Sequence, residues 1–208
     1  MKKPARAWQR MLSGRRLDLL DPSALDIEID DIAHGLSRVA RWNGQTHGEW
    51  AFSVAQHSVL VEQLTHALKP KASVGERLYA LLHDAPEYVV GDLISPFKAM
   101  IGDQYKALET RLLGATLVRF GLPPEPSATA QKLVKRADRL AAHAEAVQLA
   151  GFEPEEANRF FGAPPGDAMG DLRLTPQPPE EAKAAFLARF AALQTALETE
   201  RPARRRAM

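Results

Sequence analysis

The chain contains no cysteine. That absence excludes a disulfide framework, a thiol nucleophile, an iron–sulfur cluster and cysteine-ligated zinc. Long apolar runs are missing too. No stretch approaches the ~18 residues of a membrane span, and the basic N-terminus lacks the ~7–15-residue apolar stretch of a signal peptide. A soluble cytoplasmic protein without membrane association is the expectation. Nor is there an excess of one charge. The 27 Lys and Arg nearly balance the 26 Asp and Glu, for a formal net charge of +1. Nothing in that balance calls for nucleic acid or an acidic surface as partner. A G-x-x-x-x-G-K-[ST] loop is also absent, which argues against work driven by nucleoside triphosphates.

What is present suffices for one core: 208 residues, of which 45% are hydrophobic, have the length of one domain. Residues 1–29 read as an irregular N-terminal segment, with a brief strand over 15–20. The rest reads as helices. One is expected over 30–41, with Ile32, Leu36 and Val39 on one face. A second runs from Ser53, a plausible N-cap, to Leu68, where Lys69-Pro70 stops it. A third opens on the capping box Ser73/Glu76 and leads to His83-Asp84, after which Pro86 either ends or kinks it. Further helices are expected over 98–120, 127–149 (closed by Gly151), 154–161 (opened by Pro154) and 180–200. A Gly/Pro-rich loop covers 162–179 and a disordered basic tail 201–208. The fold expected is all-α and single-domain, with a core over 30–150 and a helical extension over 151–200.

Three of these helices carry His57, the pair His83-Asp84, and Asp138. Taken singly each has an ordinary explanation. His57 lies in an apolar stripe with Val54, Leu60 and Val61, Asp84 stands near a helix end, and Asp138 has Arg136 and Arg139 beside it. Taken together, two imidazoles and two carboxylates can close around one divalent cation and leave room for a water or a phosphate oxygen. Co, Mn, Fe, Ni, Zn and Mg are the candidates, and an open set of this kind points to metal-assisted hydrolysis.

The order His57 … His83-Asp84 … Asp138 resembles the HD phosphohydrolase superfamily. The likeness extends to Asp31-Ile32-Ala33-His34, Arg41-Trp42-Asn43-Gly44, Ser53 to Ser58, His83 to Glu87, Gly91-Asp92 and Ala137-Asp138, over roughly residues 13–150. That set is similar to the branch of bacterial 5'-deoxyribonucleotidases and phage dATP triphosphohydrolases. The resemblance implies that Glu87 assists proton transfer beside the metal. It implies that Arg41 and Lys98 face phosphate, that Trp42 packs on sugar or base, and that Asp92 lies near the sugar and disfavours a 2'-hydroxyl. It supplies no chemistry for His34, expected to be structural. His47, His66 and His143 are expected at the surface or its boundary, and Glu145, two turns after Asp138, is expected to anchor an arginine.

The function expected is hydrolysis of the 5'-phosphate ester of a nucleotide, a dNMP or dNTP, with one metal and a small-molecule nucleotide substrate in a homo-oligomer, a dimer. The alternatives are a non-catalytic HD module acting as a nucleotide sensor, and a hydrolase of a signalling nucleotide such as an alarmone. Retention of all four ligands with Glu87 weighs against the sensor.

Overall fold

Helix α2 (Val54–Leu68) is buried on two sides, and the rest of the chain is arranged around it. The computed structural model describes residues 7–165 and 172–206. On one side of α2, Val54 and Ala55 join Ile32 and Leu36 of α1 (Ile29–Leu36), Leu78, Leu81 and Leu82 of α3 (Val74–Leu82), and Phe186 and Phe190 of α9 (Pro179–Arg206). On the other, Leu60, Val61 and Leu64 pack with Val134, Ala137, Leu140 and Ala141 of α7 (Ala128–Gln148). The fold is all-α apart from a two-stranded antiparallel hairpin, β1 (Trp8–Arg10) with β2 (Arg16–Asp18), which includes the short strand expected within 15–20. Among the described residues no helix is long and apolar enough to cross a membrane.

Local chemistry accounts for most helix starts. The Ser53 hydroxyl accepts from the Gln56 N–H, and Ser127 accepts from Ala130. The box of Ser73 and Glu76 is complete in both directions. Such caps are worth about 0.5–2 kcal/mol each. Pro154 opens α8 (Pro154–Phe161) and Gly151 follows α7 at φ +76°, as the sequence suggests.

Three expectations need correction. Helix α1 ends at Leu36 rather than Arg41. The chain beyond it turns extended because the Arg41 N–H donates to the Phe52 carbonyl and the Val54 N–H to Val39, bonds that a helix would forbid. Residues Arg41–Gly44 then form a 3₁₀ turn. The single helix expected over 98–120 is two, α5 (Ser95–Ile101) and α6 (Asp103–Arg119), broken at Gly102 with φ 77° and ψ −153°, a backbone region essentially reserved for glycine. Of the two outcomes left open for Pro86, ending α3 is the one found, and Pro86 stands at the N-cap of the short helix α4 (Glu87–Val90). Finally, α9 runs to Arg206, past the expected boundary at Glu200, the helical backbone continuing through 201–206. The last two tail residues, 207 and 208, and the loop residues 166–171 lie outside the described residues.

One buried carboxylate ties the late part of the chain to the early part. Glu62 of α2 has no solvent exposure, and it accepts from Arg77 Nε of α3 at 2.7 Å and from Arg189 Nε and Nη2 of α9 at 2.6 and 2.8 Å. Helix α2, which carries His57, and α3, which leads to His83 and Asp84, are thereby tied to α9.

Candidate metal centre

His57 sits in the first half of α2 and is fully buried. His83 and Asp84 lie in the turn that follows α3, and Asp138 projects from the middle of α7. Nitrogen and oxygen atoms of His57, His83 and Asp138 all lie within 4.8 Å of one another, a cluster that could hold a metal ion. Asp84 belongs to the same constellation. Its Oδ2 is 3.4 Å from His57 Nε2 and 3.2 Å from His83 Nε2, while Asp138 Oδ1 is 3.3 Å from His57 Nε2. Ligand bonds of ~2.0–2.2 Å span ligand–ligand edges of about 3.0–3.5 Å, and the three His–Asp separations fall in that range.

The hydrogen bonds on the far side of each ring decide which nitrogen faces the cluster. His83 Nδ1 is 2.8 Å from the Ala80 carbonyl, and His57 Nδ1 is 2.6 Å from Glu145 Oε1. A carbonyl or carboxylate oxygen only accepts, so each ring carries its proton on Nδ1 and, when neutral, offers a lone pair at Nε2. Both Nε2 atoms are buried and make no hydrogen bond. A carboxylate behind one ligating histidine and a carbonyl behind another is the usual support for metal-bound imidazole. The outer edge is open, with the Asp84 and Asp138 side chains 24% and 38% exposed. The donor set fits a cation held from one side with ligand positions facing solvent.

Electrostatics agree with that reading. Burial and the Arg41 charge oppose a protonated His57. The charge of Glu145 and the nearby carboxylates of Asp138 and Asp84 outweigh them and hold its pKa well above the ordinary histidine value. Burial pushes Asp84 upward, but the two imidazoles draw it well below the usual carboxylate range, and Asp138 is lowered in the same way by His57. A cation would take the place of the imidazolium charge.

Glu87 lies beside this cluster, 3% exposed, in the first turn of α4. Its Oε1 accepts from Lys98 Nζ at 3.1 Å and its Oε2 is buried without a partner. Burial, reinforced by the charges of Asp84 and Asp92, pushes its pKa up to about 9. Lys98 of α5 also pairs with Glu109 of α6 at 3.2 Å. Arg41 is anchored twice, with Nε donating to Glu145 at 3.1 Å and Nη1 to Asp92 at 3.0 Å. The arginine expected as Glu145's partner is therefore Arg41. Trp42 donates from Nε1 to the same Glu145 oxygen at 2.9 Å, and its ring meets Phe152 and Phe161 at 5.6 and 5.8 Å. It does so from a left-handed backbone, φ 57°, with Asn43 at φ 51°. Such conformations cost on the order of 1–3 kcal/mol each and persist where the surroundings over-determine them.

All nine residues singled out from the sequence thus lie in or around one site. The reading of residues missed two things. It gave Glu145 an arginine but not His57 and Trp42, although its position seven residues past Asp138 on one helix face pointed inward. It also expected His143 at the surface, whereas His143 is 7% exposed and bonds Asn158 Oδ1 from Nε2 at 2.9 Å, fastening α8 to α7. His47 and His66 are exposed as expected, and His34 is half-buried in α1.

No family model matches the chain. The chain is 39% identical to the uncharacterized protein YfdR of Escherichia coli over 99 residues, 48% of this chain and half of that protein. It is 55% identical to an uncharacterized protein of Rhodobacter capsulatus over 192 residues, covering 92% of this chain and 98% of that one. With a likeness of that depth along nearly the whole of both chains, the protein belongs to the same family as the Rhodobacter capsulatus protein.

Proposed function

We propose that this protein is a metal-dependent phosphohydrolase that cleaves the 5'-phosphate ester of a nucleotide, preferring a deoxynucleotide. The observation that carries this reading is the pair of buried imidazole Nε2 atoms, unbonded and facing two carboxylates that remain open to solvent. Each Nε2 faces a carboxylate oxygen at 3.2–3.4 Å, and a cation placed among them would take both lone pairs and both negative charges, removing the cost of leaving buried polar atoms unpaired. His57, His83, Asp84 and Asp138 would hold one divalent ion, and a mixed nitrogen and oxygen set suits Mn, Fe, Co, Ni or Zn. When bound, such an ion supplies positive charge to a phosphate oxygen and makes a water more acidic.

The chain's own residues supply the rest. Glu87 is buried near Asp84 with one oxygen uncommitted, and it would carry the proton that must leave a water or reach a leaving oxygen. Lys98 brings a second cation against it. Arg41 spends Nε and Nη1 on its two anchors, which fixes the plane of its guanidinium and leaves Nη2 for an anion. Asp92, 9% exposed and bonded to Arg41, takes from the resemblance the role of disfavouring a 2'-hydroxyl on the sugar. The resemblance to HD phosphohydrolases supports the same roles.

Phosphate release from dNMPs, NMPs and dNTPs, repeated with Co, Mn, Mg, Fe, Zn and Ni, tests the proposal. Release from deoxynucleotides in preference to their ribonucleotide counterparts is expected, and Asp92→Ala narrows that ratio. Asp84→Ala loses metal and turnover together. Silence on the whole panel overturns the enzymatic reading, and full metal occupancy in Asp84→Ala overturns the ligand assignment.

A further inference from the structure

Helix α7 carries a second feature that the metal centre leaves unused. Lys132, Lys135, Arg136 and Arg139 recur at helical spacing and project from one side of it. They line an open cleft of about 470 Å³, faced across the gap by Phe161 at the end of α8 and by the residues that follow it. All four cations are exposed. Among the described residues none of them has an ion pair, and Asp138, which lies between Arg136 and Arg139 in sequence, turns to His57 instead. No residue of the metal cluster lines the cleft.

The arrangement is not a by-product of bulk charge, because the whole chain carries a net charge of only +1. Like charges three and four apart on a helix cost about 0.2–0.5 kcal/mol per pair, so the stripe is a small liability until an anion neutralises it. A concave wall of one sign, opposite apolar atoms, concentrates the potential where a ligand would lie. From the first cation to the last the helix rises about 10 Å, at ~1.5 Å per residue. That reach exceeds one phosphate and suits a chain of them, and the two arginines offer forked donors for phosphate oxygens. The cleft's far wall is an aromatic ring and short apolar side chains, which suits a small ligand better than a nucleic-acid backbone that must run on past the site.

We infer that this cleft is a polyphosphate-binding site, separate from the metal centre, that takes the phosphate chain of a nucleoside di- or triphosphate. The site needs no metal and does not depend on the hydrolase reading. Phe161 forms its inner wall and touches Trp42, whose indole N–H is fixed on Glu145. An occupied cleft therefore abuts the aromatic support of the centre without entering it.

Calorimetric titration of the full chain, freed of metal by chelation, with inorganic tripolyphosphate tests the site. Wild type and Asp84→Ala bind it alike, and raising salt weakens both. Affinity falls at least tenfold in Lys135→Gln/Arg139→Gln and is abolished in Lys135→Glu/Arg139→Glu. Both pairs are exposed, and unchanged thermal unfolding in the glutamine variant keeps that comparison clean. Binding that survives the glutamine pair but is lost in Asp84→Ala overturns the proposal, because the phosphates then sit in the metal centre. Failure of wild type to bind tripolyphosphate overturns it as well, and so does retention of a single-stranded oligonucleotide in its place.

Discussion

Glu145 does for His57 what a backbone carbonyl does for His83: it takes the Nδ1 proton and turns Nε2 toward the cluster. It differs in being a charged residue with two further donors, Arg41 and Trp42, on its other oxygen. Glu145→Gln presents an amide where those donors need an acceptor, so it should loosen His57. A drop in metal affinity of about 10–100-fold, the usual scale for such supporting partners, is expected in competition with a chelator. Affinity within twofold of wild type would leave Glu145 a purely structural anchor. Glu87 is the other residue with a testable proton. Glu87→Ala should keep the metal and lose ~10²–10⁴-fold in turnover, the range for a positioned acid or base. A carboxyl whose folded pKa is raised contributes stability that is fully present below its unfolded value near 4.5 and is lost as pH climbs toward about 9. In metal-free protein, Glu87→Gln should therefore gain in Tm over wild type progressively from pH 5 to pH 9. A difference that stays flat over that range means Glu87 ionises as an ordinary glutamate.

At the scale of elements, Gly102 decides where Lys98 can be. Its backbone, at φ 77° and ψ −153°, lets α5 fold back so that Lys98 meets both Glu87 and Glu109. Gly102→Ala should cost about 1–3 kcal/mol by urea unfolding, the scale for a non-glycine residue in that region, and should weaken substrate binding through Lys98. Stability unchanged by the substitution would mean the turn can relax without cost. The same turn shows what a sequence conveys. Ser53, the Ser73/Glu76 box and Pro154 were legible because a cap is a contact between neighbours, written within four residues. Gly102 inside an otherwise helical pattern reads as a tolerated glycine. The left-handed turn at Trp42 was invisible because its cause lies over a hundred residues away, in Glu145 and the phenylalanines of 152 and 161.

For the molecule as a whole, the decisive contacts are long-range. His57, His83-Asp84 and Asp138 belong to three separate elements, and periodicity placed each on a helix without saying that they meet. Their order, and the likeness it bears to a known pattern, carried that inference. The C-terminal helix offered no such pattern, so its attachment through Glu62 was unreadable beforehand. Glu62→Ala strips a fully buried partner from Arg77 and Arg189. Removing one member of a buried ion pair costs about 3–5 kcal/mol. Since the two arginines are 20% and 31% exposed and can reach water, the lower end is expected. Chemical denaturation should show that loss with the metal site still able to load. A change below 1 kcal/mol would mean α9 is held by its apolar face alone.

The short bond between His57 and Glu145 also makes the centre an exchanger of ions. The carboxylates around His57 favour its protonated form, and that proton must depart before Nε2 can become a ligand. Loading should therefore acidify the solution, releasing a number of protons per ion that falls as pH rises. Apparent affinity should rise with pH until His57 is neutral on its own. Calorimetry in two buffers of different ionisation enthalpy reads the number directly, and a value of zero at pH 7 would contradict the origin assigned to it. When metal is scarce the same chemistry works in reverse. A protonated His57 then offsets part of the negative charge of Asp84, Asp138 and Glu145, with Arg41 holding Glu145 from its other side.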